Sequence, residues 1–113
     1  MMKKQILLFL TVLLFGVSAS VQAQKSYSVY GIGFYNLENL FDTCHDAGKN
    51  DYEFLPDGAN RWTSKKYVNK LRNMSRVLSE MGTDRLSQGC AAIGVAEVEN
   101  SKCLADLCQQ EPR

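Results

Sequence analysis

Apolar positions fall into five segments along the chain, and each predicts its own element. Ile6 to Val17 is an unbroken apolar run apart from Thr11 and Gly16. Ser26 to Asn36 is rich in Tyr, Val, Ile and Phe, a composition that suits a strand better than a helix. Its two glycines, Gly31 and Gly33, leave room for a close approach or mark a bulge. Tyr67, Leu71, Met74, Leu78 and Met81 recur at steps of 4, 3, 4 and 3, with Val77 beside them. That is the stripe of an amphipathic helix, capped by Thr63 or Ser64 and ending before Gly82. Lys65, Lys66, Lys70, Arg72 and Arg76 read as its solvated outer face. Ala91 to Glu97 is apolar until its last residue, the pattern of a strand buried on both faces. Asn100 or Ser101 then caps a last helix containing Leu104 and Leu107.

Between the first strand and the first amphipathic helix, residues 42–62 read as a loop. Pro56-Asp57-Gly58 is a turn signal, because proline presets φ and glycine tolerates positive φ. Loops of this length inside a small domain are often functional.

The leading apolar run changes the picture of where the protein works. Lys3 and Lys4 precede it, and Val21-Gln22-Ala23 follows with small residues at cleavage spacing. These are the three parts of a secretory signal peptide. At about 12 residues the run is well short of the roughly 20 needed to span a bilayer. Residues 1–23 are therefore expected to be removed, leaving residues 24–113 in the periplasm or outside the cell. That mature part carries 11 basic residues against 12 acidic ones, so charge alone argues for no polyanion-binding surface.

Cys44, Cys90, Cys103 and Cys108 would then reside in an oxidising compartment, where disulfides are possible. Their spacing forms no zinc-knuckle pattern, and His45 is the only histidine, so a structural zinc site is not expected. Buried or free thiols are the preferred reading, with one bridge involving Cys44 as the alternative.

Two strands joined by a helical crossover run parallel if they share a sheet, which puts both carboxyl ends on one edge. Ligands bind at that edge in open α/β sheets. Asn36 closes the first predicted strand and Glu97 the second, so an amide and a carboxylate meet there. Both residues also have plainer readings: Glu97 could turn toward water, and Asn36 could bond its own turn. Glu38 and Glu99 read as solvent-facing or as supports behind the site, and Asp42 and His45 as loop residues.

Phe34-Tyr35-Asn36-Leu37-Glu38-Asn39-Leu40-Phe41-Asp42 resembles the first motif of the endonuclease/exonuclease/phosphatase superfamily, the DNase I-like fold. Ile93-Gly94-Val95-Ala96-Glu97-Val98-Glu99-Asn100 resembles its second motif, with Ala96 where glutamine is common. Gly58 to Thr63 and the helix up to Asp84 resemble exported bacterial members. The resemblance implies an α/β fold, the N-terminal βαβ portion of a DNase I-like four-layer α/β sandwich. It implies that Glu97 binds a divalent metal, Mg2+ or Mn2+, and that Asn36 positions the scissile phosphate. The implied substrate is a phosphate ester, nucleic acids included. Magnesium takes hard oxygen ligands and commonly binds through one or two carboxylates plus substrate phosphate. The superfamily's later Asp-x-Asn, histidine and Ser-Asp-His motifs are absent, so the chain is expected to be an N-terminal fragment with little or no activity of its own. The competing expectation is a small exported cysteine-containing binding module without catalysis.

Overall fold

Strand, helix, strand, helix is the order the apolar pattern asks for, and the computed structural model has it. The structure describes residues 2–16 and 24–111. The expected cleavage site at residues 21–23 lies outside the described residues. The apolar leader forms α1 (Met2–Gly16). No helix among the described residues is long and apolar enough to cross a membrane. The remaining elements are β1 (Gly31–Leu40), a short 3-10 turn at Tyr52–Phe54, α2 (Ser64–Glu80), β2 (Cys90–Val98) and α3 (Ser101–Cys108).

β1 and β2 form a two-stranded parallel sheet with α2 in the connection between them, so the unit is βαβ and the class is mixed α/β. β1 starts at Gly31 rather than Ser26 and continues past Asn36 to Leu40. Pairing decides this. Gly31 is the first residue with a partner, Cys90, while Tyr27, Val29 and Tyr30 have strand-like side chains but stay exposed. A strand needs a neighbour to take its backbone hydrogen bonds, whatever its propensity.

Both helices cover the same face of the sheet. Leu37 and Leu40 of β1, Tyr67 and Leu71 of α2, and Cys103 and Leu107 of α3 form the buried cluster. Tyr35, Trp62, Met74, Leu78, Val95, Val98 and Leu104 pack around it, half-buried. The other face is open: Ile32 is 85% exposed and Phe34 69%. β2 is accordingly not buried on both faces as its uninterrupted apolar run suggested. Ala91, Ala92 and Gly94 are exposed, because among the described residues a helical layer lies on one side only. Gly33 lies on the covered side, where a Cβ would come 2.5 Å from the Met81 sulfur and 3.1 Å from that of Cys90, so any larger residue makes Met81 shift.

Local signals set the helix starts. The Thr63 side chain accepts from the Lys66 amide at 3.4 Å, and Asn100 accepts from the Cys103 amide at 3.0 Å. Each satisfies an amide that the first helical turn leaves free. The long loop is folded on itself: Phe41 stacks on Phe54 with ring centroids 4.1 Å apart, and the Trp62 indole donates to the Phe41 carbonyl at 2.7 Å. All four cysteines are free, with Cys103 buried and Cys44 and Cys108 exposed.

Candidate functional site

The carboxyl ends of β1 and β2 do not simply stop; they are built from strained backbone. Asn36 pairs with Ala96 and Leu40 with Val98, so β1 carries four steps where β2 carries two, and the surplus forms a bulge. Glu38 and Asn39 in that bulge have φ of 50° and 57°, and Glu97 opposite has φ of 57°. Non-glycine residues in the left-handed region cost about 1–3 kcal/mol each and persist where surrounding contacts hold them, which is common at functional sites.

The bulge brings the two residues singled out by the sequence to one rim. Asn36 Oδ1 accepts from the Glu38 amide at 2.8 Å. Glu97 Oε2 accepts from the next amide, Asn39, at 3.2 Å. Consecutive N–H groups of a left-handed pair thus hold a carboxamide from one strand and a carboxylate from the other. Both side chains belong to exposed residues, and the second oxygen of Glu97 accepts no hydrogen bond among the described residues. Glu38 itself is exposed.

The carbonyls of the same two residues point to a group that sequence reasoning assigned to the solvated helix face. The Lys70 ammonium donates to the Glu38 carbonyl and, at 3.3 Å, to that of Asn39. It also lies 5.8 Å from the centre of the Trp62 ring. Lys70 is half-buried, and burial draws its pKa below the usual lysine value against the pull of the Glu38 and Glu97 carboxylates. A signal was present: Lys70 follows Tyr67 by three and precedes Met74 by four, which puts it on the flank of the apolar stripe rather than opposite it.

A second polar cluster sits behind the rim, where the loop meets α3. Asp42 and Asp51 are 4% and 2% exposed, although loop carboxylates are expected in water. Asp51 accepts from the Asp46 amide at 2.7 Å and contacts His45 Nδ1 at 2.5 Å. The amide bond first, and His45 second, hold its carboxyl below the usual range. Asp42 accepts from the Cys44 amide and from the Asn100 carboxamide, and its own amide donates to Glu99 Oε2 at 3.0 Å. Glu99 Oε1 is buried without a partner among the described residues. Burial, followed by the nearby Asp42 and Asp46 charges, pushes the Glu99 carboxyl up to about 7.

Asp42, Glu99 and Cys103 bring ligand-type atoms within 4.8 Å of one another. Their chemistry fits a hard cation poorly. Both Asp42 oxygens and one Glu99 oxygen are already hydrogen-bonded, and burial raises the Cys103 thiol toward its neutral form. These contacts anchor the loop to α3. His45 lies in this anchor, stacked on Tyr52, and not at the rim.

A family model described as Endonuclease/Exonuclease/phosphatase family matches residues 31–112. No curated protein and no solved structure matches the chain. The match begins where β1 begins and runs through α2, β2 and α3, so it takes in the bulge, the rim and the loop anchor. The chain belongs to the Endonuclease/Exonuclease/phosphatase family.

Proposed function

We propose that the rim formed by Asn36 and Glu97 is the metal and phosphate corner of an exported phosphoesterase that hydrolyses a phosphodiester or phosphomonoester. The observation that carries the reading is the pair of consecutive amides, Glu38 and Asn39, that fixes both side chains at one sheet edge. Membership of the family supports phosphate-ester chemistry.

The donor set fits a hard divalent cation, Mg2+ or Mn2+. Glu97 offers an exposed carboxylate with one oxygen fixed by the Asn39 amide and the other free for a ligand. A cation bound there would polarise a phosphoryl oxygen and offset charge on the leaving group. Asn36 has its carboxamide oxygen committed to the Glu38 amide, which leaves its NH2 group to donate to a phosphate oxygen. Among the described residues the rim holds no histidine, since His45 lies in the loop anchor.

Binding is therefore the first test. Titration of Mn2+ followed by electron paramagnetic resonance gives a saturable site in the parent chain, and Glu97→Gln removes it. Asn36→Ala leaves Mn2+ binding in place and weakens protection of the site by inorganic phosphate. Equal Mn2+ binding by the parent and Glu97→Gln refutes the assignment. Export belongs to the same reading, supported by the basic, apolar and small-residue order of residues 1–23. Secreted material whose N-terminus is Gln24 supports it, and a product that keeps Met1 and stays inside the cell overturns it.

A further inference from the structure

We propose that Lys70 is a positioning residue for this site, acting through the β1 bulge rather than on substrate; the inference rests on the metal-and-phosphate reading of the rim. The bulge has two sets of backbone groups. Its N–H groups hold Asn36 and Glu97 from the solvent side. Its carbonyls are both taken by one ammonium, delivered from the covered side by α2. Glu38 and Asn39 sit at φ of 50° and 57°, a conformation that reverts to ordinary backbone unless something holds it. Ammonium–carbonyl bonds are charge-assisted, which makes them stronger than bonds between neutral groups. Lys70 in turn is held in place by Leu71, its buried neighbour in α2, and by the Trp62 ring.

The chain of contacts runs from the α2 core to Lys70, to two carbonyls, through the same peptide segment to two amides, and so to Asn36 and Glu97. Without the ammonium the two carbonyls would turn to water; the Asn39 amide, in one peptide plane with the Glu38 carbonyl, would turn with it, and the Glu38 amide would lose the left-handed φ that aims it. Outer residues that orient a metal ligand commonly change metal affinity 10- to 100-fold when removed.

The test uses the full chain with Lys70→Met, which keeps the stem and removes the charge, and Lys70→Arg, which restores a cation. Amide hydrogen exchange at Glu38 and Asn39 and Mn2+ affinity are read together, with exchange across α2 as the control for packing. The expected result in Lys70→Met is faster exchange at those two amides, unchanged exchange at Leu71 and Met74, and Mn2+ affinity about tenfold weaker. Lys70→Arg recovers a large part of both losses. Unchanged Mn2+ affinity in Lys70→Met overturns the positioning role, whatever the amides do. Loss of protection throughout α2 overturns it as well, because Lys70 would then be holding the helix. A parent chain that binds no Mn2+ is a different failure: it refutes the metal reading of the rim, and this role falls with it.

Discussion

Leu71 and Phe34 are both large apolar residues in elements the sequence assigns to the interior, yet the structure gives them opposite fates. Leu71 is 2% exposed within the Leu37, Leu40, Tyr67, Cys103 and Leu107 cluster, and Phe34 is 69% exposed on the open face of the sheet. Leu71→Ala removes buried methyl groups and leaves a cavity, at a cost of about 3–5 kcal/mol. A unit of this size has a total stability of roughly 4–12 kcal/mol, so the loss is a large share of it. Phe34→Ala removes atoms already in water and costs about 0.5 kcal/mol or less. Trp62, the single tryptophan, packs half-buried against the cluster and reports unfolding by fluorescence. With a urea dependence of about 1 kcal/mol per M for a chain this small, Leu71→Ala moves the midpoint down by about 3–5 M and Phe34→Ala by about 0.5 M or less. Leu71→Met, which keeps the volume, costs less than about 1.5 kcal/mol. Equal midpoint shifts for Leu71→Ala and Phe34→Ala would refute the one-sided core.

The remaining stability prediction concerns pH. The Glu99 carboxyl is pushed from 4.5 to about 7 in the folded chain, chiefly by burial. Between those values the unfolded chain gives up the proton that the folded chain keeps, so stability falls as pH rises from about 4.5 to about 7 and levels off above. Glu99→Gln, which mimics the protonated group, flattens that slope; urea midpoints between pH 5 and 8 with a chelator present check it, and an unchanged slope would assign the pH dependence elsewhere.

The family placement raises the question of what the loop anchor contributes. Asp42, Asp46, Asp51 and Asn100 tie the segment after β1 to the start of α3. The Glu99 amide donates to the Leu40 carbonyl at 3.0 Å, which joins the ends of β1 and β2 just beyond the rim. The bulge is thus fixed at both ends, by the ladder at Asn36 and by these contacts after Leu40. The proposed site, made of two side chains from separate strands, would depend on that fixity, since an error of about 1 Å in placement can cost a hundredfold in rate.

Read alone, the sequence determined the order and type of the elements, the helix caps to within one residue (Thr63 or Ser64, Asn100 or Ser101), and the presence of Asn36 and Glu97 near strand ends. These follow from local chemistry: side-chain periodicity, capping oxygens and turn residues act within a few positions of themselves. It also carried the motif pairs that the family match spans. Only the tertiary structure decided which strand face is covered, because a run such as Ala91 to Glu97 looks the same whether one helical layer or two pack on it. Burial of Asp42 and Asp51 was equally invisible, since it depends on amides and a carboxamide that meet them only when loop and α3 come together. Lys70 shows the boundary most clearly. Its place on the stripe's flank is written in the spacing, but its two carbonyl partners exist only once β1 bulges into the left-handed region, and that bulge is a product of pairing with β2.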